Sequence, residues 1–455
     1  MPRPRTIPVA RGDRLTLHVS DLGDGPDGIA RVGDYVVFVP GVLPGEEVLV
    51  EITSAARKFG RGELLSVRTA AADRVAARCA HFLACGGCHR QHQRYGAQLA
   101  DKQDRLQRLL AHALGTAAPT VPLPLAGAPF GERHKIVLHL RGGGDAPLET
   151  CFHRPRSPEL VAVHECPASD PAAWRLARAA VRELATLRHL AWDPDFAPDG
   201  LLRSVLVRRT TLGEALVLVV ARRAHVPGLE RIVDALHRAG ATTIAVNGNA
   251  GEFSQLLGPE TRLVSGPPRI RERLLDVDYL LSPDAFFQTA PRLAGRLVQL
   301  VTEWLDPGRD EVAGDLYCGG GLLTLPLARR ARTAFGIELG RGAIHDAEAA
   351  ARHNGLGNVT FRAGHVEHWL AACRRGDLPR PHVVALDPPR AGVSAAVIAE
   401  LAALRPRRLA YVACDTAALA RDLRALHERG FTTRRVQPLD MFPQTCHLEA
   451  VAMLD

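Results

Sequence analysis

The sequence has no apolar run long enough to cross a bilayer, which takes about 20 residues. Its opening stretch, MPRPRTIPVARGDR, has no hydrophobic core of the kind a secretory signal carries. The expectation is a cytoplasmic protein with no membrane partner. Lysine is nearly missing: among 57 Lys and Arg residues, only Lys58, Lys102 and Lys135 are lysine. The arginine preference is what a GC-rich genome produces and says little about function. The formal net charge of +8 says more, since it suits a polyanionic partner, although a solvated basic surface gives the same balance. Cysteine is sparse: nine residues, an odd number and mostly isolated, exclude a secreted disulfide framework. In a reducing compartment, a tight group of cysteines points instead to a metal or cluster site. No internal repeat or low-complexity tract is present, and no obligate protein partner is evident.

A chain of 455 residues has room for two or three domains with real cores. Residues 11–68 alternate short apolar runs with Gly, Pro and Asp, which predicts a small antiparallel barrel. Arg57, Lys58, Arg61 and Arg68 lie on it and are available for phosphates; a purely structural barrel with a basic edge fits equally. Residues 98–114 place Leu99, Leu106, Leu109, Leu110 and Ala113 on one face of an amphipathic helix, expected to pack on a neighbouring domain. Residues 121 to about 270 mix strand-like runs (KIVLHLR, SVLVRRT, ALVLVVARR, TTIAVNGN) with a helix at AAWRLARAAVRELATL, predicting an α+β domain. From about 276, the apolar runs EVAGDLY, TAFGIE, NVTFRA, HVVALD and RRLAYVAC alternate with helix signals. That pattern predicts a doubly wound, mostly parallel sheet.

The first of these strands runs into DLYCGGGLLTLPLA, residues 315–328. Gly319, Gly320 and Gly321 allow a tight turn and close approach to a ligand. Thr324 stands where a dinucleotide fingerprint needs its third Gly, which disfavours NAD. Asp315 with Gly319 and Gly321 suits S-adenosylmethionine, and Glu338 closes the second strand where a ribose acceptor belongs. A structural βα turn is the alternative. Asp387 opens DPPRAG after the fourth strand, and Arg390 replaces the aromatic residue usual in amino-group methyltransferases. Cys414 ends the fifth strand beside the expected donor site, whereas Cys318 and Cys373 read as buried structural thiols. Taken on residues alone, Glu449 reads as a surface carboxylate on an edge strand. In CAHFLACGGCHRQH the spacing Cys79-x5-Cys85-x2-Cys88, with Cys166-Pro167 further on, fits zinc or an iron–sulfur cluster about equally.

Together these segments resemble the RNA (uracil-5-)-methyltransferase family, closest to the branch that modifies 23S ribosomal RNA and carries an iron–sulfur cluster. The resemblance runs nearly the full length: the barrel, the cysteine motif, FFQ at 286–288, DLYCGGG, the Glu338 strand, DPPRAG, the Cys414 segment and DMFPQTCHLE at 440–449 occur in family order. It implies a multidomain α/β chain: a TRAM-type, OB-like RNA-binding barrel (1–70), an α+β iron–sulfur domain (71–275) and a Rossmann-like methyltransferase domain (276–455), with helix 97–115 packing on the catalytic domain. It implies Cys414 as nucleophile and Glu449 as base, positioned by Pro443 to His447. S-adenosylmethionine would lie against Gln288, Tyr317, Leu322, Glu338, His365 and Asp387, with Phe286 and Phe287 bordering the cofactor or base pocket. A [4Fe–4S] cluster would sit on Cys79, Cys85, Cys88 and Cys166, with Cys151 the nearest rival for the fourth position. The implied substrate is structured RNA, with 23S rRNA ahead of tRNA, and a non-catalytic assembly factor is the rival outside enzymes. Three departures stand out: Leu322 replaces Asn or Thr, His365 replaces Asp or Asn, and Asp415-Thr416 replaces the Asn-Pro that follows the nucleophile.

Overall fold

Short β-branched runs punctuated by glycine build the N-terminal strands of the computed structural model, which describes residues 7–251 and 255–455. Strands β1 (Arg14–Leu22), β2 (Asp27–Val32), β3 (Tyr35–Pro40), β4 (Glu47–Ala55) and β5 (Phe59–Thr69) close into a barrel in the order β1-β2-β3-β5-β4. Alternation sends Leu17, Val19, Val37, Val39, Val48, Val50 and Ile52 into its interior. The barrel expected at 11–68 is therefore present.

The chain forms two compact units, and the first takes in the residues up to Arg105, Phe152–Val161 and Gln444–Cys446. Its cysteine loop is a run of tight turns, with Phe82 N–H donating to the Cys79 carbonyl and Cys85 N–H to that of His81. In the same unit the Gln444 carbonyl accepts from the N–H groups of both His89 (2.7 Å) and Arg90 (3.0 Å). The Gln98 side chain donates to the Gln444 side-chain oxygen at 3.1 Å.

Helix α1 (Tyr95–Leu114) starts three residues before its expected position. From Leu106 onward it belongs to the second unit, where Leu106, Leu110 and Leu114 join a core with Val384, Leu409, Tyr411 and Leu423. Leu109 and Ala113 pack at its margin.

A seven-stranded sheet, β12-β11-β10-β9-β6-β7-β8, is made from β6 (Lys135–Gly142), β7 (Leu148–His153), β8 (Leu160–Ala162), β9 (Leu202–Arg209), β10 (Ala215–Ala221), β11 (Thr243–Gly248) and β12 (Glu260–Ser265). Helix α2 (Pro171–Ala185), capped by Asp170, packs on it, and α3 (Val233–Arg238) leads into β11. A hairpin, β13 (Ile270–Leu274) and β14 (Val277–Leu281), precedes α4 (Pro291–Leu305).

The last module alternates β15 (Val312–Leu316), α5 (Thr324–Ala328), β16 (Thr333–Glu338), α6 (Arg341–His353), β17 (Val359–Ala363), α7 (Val366–Arg375), β18 (Val383–Leu386), α8 (Ala395–Leu404), β19 (Arg408–Ala413) and α9 (Thr416–His427). Strands β20 (Thr433–Leu439) and β21 (Glu449–Leu454) complete a sheet ordered β17-β16-β15-β18-β19-β21-β20. Its first five strands run parallel, and the reversal of strand order at β15/β18 opens a crevice at their carboxyl ends, where ligands of doubly wound sheets bind. Among the described residues no helix is long and apolar enough to cross a membrane.

Candidate active site

Each β15–β19 strand delivers its last residue to the same edge of the sheet. After β15 the chain turns sharply, with Tyr317 at φ 63°, Gly319 at φ 53° and Gly321 at φ 85°. Only glycine takes the left-handed region without cost, so Tyr317 is held there under strain. A Cβ on Gly319 or Gly320 would meet nothing within 4 Å, which leaves space for a ligand against the turn. The buried Tyr279 hydroxyl fixes the turn from behind by donating to the Leu322 carbonyl at 2.8 Å. The Leu322 side chain lies against the hydrophobic core, so at this position the backbone oxygen does the structural work.

Glu338 ends β16 with both carboxylate oxygens engaged: Oε2 accepts from Gly319 N–H at 3.2 Å and Oε1 from Gly340 N–H at 2.8 Å. Each oxygen keeps a lone-pair direction for a ribose hydroxyl. Asp315, fully buried, accepts from the Thr324 hydroxyl at 2.5 Å. Burial pushes its carboxyl up to about 8, opposed by the Thr324 bond and reinforced by Asp387. His365 is exposed and begins α7, its ring edge-on to His368. Gln288 is half-buried in the loop after β14, beside the exposed Phe286 and the buried Phe287. Asp346 of α6 holds the start of that loop, accepting from the N–H and hydroxyl of Ser282 and from Arg269 Nε.

Asp387 follows β18. Its loop is tied down by Asp422 of α9, which accepts from Val393 N–H at 2.9 Å and from the Tyr411 hydroxyl at 2.7 Å. Cys414 follows β19, half-buried. Burial pushes its thiol up to about 11, reinforced by Glu449 and Asp387 and opposed by Arg390. Glu449 is only 2 % exposed, and burial followed by the Asp387 charge raises its carboxyl well above the usual range. Strand β21 runs between β19 and β20, so the edge-strand surface position expected from Glu449's residue context is wrong. The closing hairpin β20–β21 makes β21 an interior strand and buries its first residue. The departure at Asp415 has a local cause: its side chain caps α9, accepting from the N–H groups of Ala417 and Ala418.

The Asp387 charge raises the carboxyl of Asp315 on one side and the Cys414 thiol and Glu449 carboxyl on the other. Sequence reasoning missed Tyr279, Asp346 and Asp422. Their only signal was a polar residue among apolar helix or strand positions. Of the cysteine set, Cys79, Cys85 and Cys88 lie half-buried in the loop of the first unit. Cys166 lies in the second unit, in the turn before α2, with its sulfur accepting from the Ser169 hydroxyl at 3.2 Å. All nine cysteines are unbridged, and Cys318 and Cys373 are buried as expected.

Residues 8–65 match the TRAM domain model, and residues 268–455 match the tRNA (uracil-5-)-methyltransferase model. An uncharacterized RNA methyltransferase of Halalkalibacterium halodurans is 32 % identical over 98 % of both chains. One from a Nostoc species is 33 % identical over 98 % of this chain and 96 % of its own. Among solved structures, the tRNA (uracil-54, C5)-methyltransferase of Pyrococcus abyssi, in complex with S-adenosyl-L-homocysteine, superposes with a TM-score of 0.76 at 25 % identity, over 97 % of this chain and 99 % of that one. On its barrel, its strand-end site and these relatives, the chain belongs to the TRAM-bearing, S-adenosylmethionine-dependent RNA (uracil-5-)-methyltransferase family.

Proposed function

We propose that this protein methylates C5 of a uridine in 23S rRNA, with Cys414 as nucleophile and Glu449 as base. The observation that carries this reading is the pairing of a half-exposed thiol with a buried carboxyl at the end of adjacent strands, on the sheet edge where β16 also ends in Glu338, the proposed ribose acceptor. Uracil C5 is a poor nucleophile. Attack of the Cys414 sulfur on C6, its proton passing to solvent, places the electron pair of the C5–C6 bond on an enolate, and C5 then gains carbanion character. Bound S-adenosylmethionine would supply the electrophilic methyl group for that carbon, leaving as S-adenosylhomocysteine. Glu449 then takes the C5 proton, the C5–C6 double bond re-forms, and Cys414 leaves as thiolate. A carboxyl raised by burial is the stronger base, which suits it to a weakly acidic carbon. Asp387 sits between the two ends of the crevice and Arg390 offsets its charge at the thiol.

The crevice fits the methyl donor: its turn leaves room for a ligand, and Glu338 is pre-oriented by two backbone donors. Gln288, Tyr317, Leu322, His365 and Asp387 complete the proposed contacts, Leu322 through its backbone or apolar side chain. For the second cofactor, a [4Fe–4S] cluster, the proposed ligands are Cys79, Cys85, Cys88 and Cys166, all unbridged thiols, and no step of the methyl transfer runs through it.

A tRNA uridine is the second reading. The Pyrococcus abyssi tRNA enzyme spans nearly the whole of this chain, so possession of every domain does not by itself favour rRNA. Nucleoside mass spectrometry of 23S rRNA and of tRNA from a strain lacking the protein decides. Loss of 5-methyluridine from 23S rRNA alone is the expected result. Loss from tRNA alone transfers the assignment to tRNA, and no loss in either removes the enzymatic reading.

A further inference from the structure

Strands β6 and β9 of the seven-stranded sheet place two cations side by side, neither of them in an ion pair among the described residues, although Asp346, Asp284 and Glu272 act on Arg208 through space. Lys135 and Arg208 are directly opposed across the antiparallel pair β6/β9, which puts both side chains on one face. The same rung continues to Leu216, which is buried in the core shared with the catalytic module. Arg208 is 4 % exposed. Its Nη2 donates to the Ala285 carbonyl at 2.5 Å, while Nη1 is buried with no hydrogen-bond partner. Lys135 is half-buried and has neither a hydrogen bond nor an ion pair among the described residues. The carboxylates around Arg208 are committed elsewhere: Asp346 to Arg269 and Ser282, Glu272 to Thr211 and Arg273, and Asp284 to Ser282.

Opposed like charges destabilise a strand pair, and an unsatisfied buried guanidinium N–H costs further. The cost shows in both groups. Burial, then Arg208, pushes Lys135 down to about 8, and burial pushes Arg208 down to about 10. Such a pair is at ease only when an anion bridges it. Its position says which anion. Arg208 grips Ala285, and the N–H of the neighbouring His134 donates to the Thr289 carbonyl at 2.9 Å. The two cations are therefore fixed to both ends of the loop that presents Phe286, 72 % exposed, and Gln288.

The geometry points to Lys135 and Arg208 as a binding site for one backbone phosphate of the substrate RNA, next to the loop that borders the base pocket. The site rests on the reading of this chain as an RNA methyltransferase. Lys135, half-buried at the more open end of the rung, supplies the donor that reaches the phosphate, and Arg208, 4 % exposed, adds its charge from behind. An ammonium already near neutrality gains a full charge when the phosphate arrives, so binding takes up a proton at pH 8.

The scarcity of lysine makes the test clean. The protein is labelled with an amine-acylating reagent at pH 8, alone, with a 23S rRNA transcript, with total tRNA, or with S-adenosylmethionine, and acylation is read at each lysine by mass spectrometry. Lys135 should be acylated in the free protein and protected at least fivefold by RNA but not by S-adenosylmethionine; the buried Lys102 is the internal control. In parallel, Lys135→Met should weaken binding of the transcript roughly tenfold and lower its salt slope by about one, with Lys135→Arg restoring both and S-adenosylmethionine affinity unchanged in each. Protection by S-adenosylmethionine, or loss of its binding in Lys135→Met, would assign the pair to the cofactor carboxylate and overturn the site. So would equal acylation with and without RNA in a protein that binds RNA. If the wild-type chain binds neither RNA, the substrate reading fails and this site with it.

Discussion

Cys414 and Glu449 stand opposite each other, one residue beyond the Ala413–Ala450 pair of the antiparallel strands β19 and β21. This register, with β21 shielded by β20, is how a chain return of more than thirty residues brings the proposed base to the proposed nucleophile. Under the proposed mechanism, removing the thiol removes the atom that attacks C6. Cys414→Ala should therefore lose methyl transfer by roughly 10⁴-fold or more and form no denaturant-stable complex with RNA containing 5-fluorouridine. Turnover within tenfold of wild type would dismiss the nucleophile assignment.

In the proposed mechanism Glu449 acts only after the methyl group has moved. Glu449→Gln keeps the shape and deletes the base, so the first methyl transfer should survive while elimination stalls. Steady-state turnover should fall about 10²- to 10⁴-fold, and a covalent adduct with unmodified substrate RNA should accumulate. Prompt release of 5-methyluridine product by the variant would take the base role away from Glu449.

The thiol's surroundings set a pH dependence in the free protein. Burial first, then the charges of Glu449 and Asp387, hold Cys414 in its protonated form up to about pH 11, and Arg390 works against them. Alkylation of Cys414 by iodoacetamide, followed by mass spectrometry, should rise about tenfold per pH unit between 8 and 10. Glu449→Gln should move the midpoint down and Arg390→Ala should move it up. A midpoint at or below about 8.5, the ordinary thiol value, would contradict this account of the site.

How much of this was legible in the sequence depended on the range of each interaction. Alternation and glycine punctuation located the barrel, the five parallel strands and the turn at Gly319–Gly321, because these are set by neighbours a few residues apart. Family order of motifs singled out Cys414, Glu338 and Asp387. The burial of Glu449 was not legible, since it depends on β20 covering β21. Nor were the ties from Asp422 to the Asp387 loop, from Asp346 to Ser282 and from Tyr279 to Leu322, each spanning 29 to 64 residues of chain. Strands β7 and β12 were missed because their polar residues break the period, and β8 because its three residues are too short to show one. The opposition of Lys135 and Arg208, in strands separated by α2, needed the register itself.

Glu338 receives two backbone N–H groups, one on each oxygen, and these fix the carboxylate that the proposal gives to the donor's ribose. An amide in its place offers one oxygen and one NH2 group, which must confront the N–H of Gly319 or Gly340. Glu338→Gln should weaken S-adenosylmethionine binding at least tenfold by calorimetry while leaving RNA affinity within twofold. Unchanged cofactor affinity would place the ribose elsewhere.

For the proposed cluster, thiol chemistry favours Cys166 over Cys151 as the fourth ligand. Cys151 is wholly buried on β7, and burial pushes its thiol up to about 11, which disfavours the thiolate that a cluster requires. Cys166 is half-buried, in a turn, and its sulfur already accepts a hydroxyl hydrogen bond from Ser169, the kind of outer contact that supports a ligating thiolate. Anaerobically purified Cys166→Ser should therefore lose most of its iron and sulfide and the visible absorbance of the cluster, whereas Cys151→Ser should keep them. Ser169→Ala should keep the iron but shift the cluster's reduction potential, since it removes only the outer contact. Stoichiometric zinc with no iron in the wild-type protein would replace the cluster by a zinc site on the same thiols.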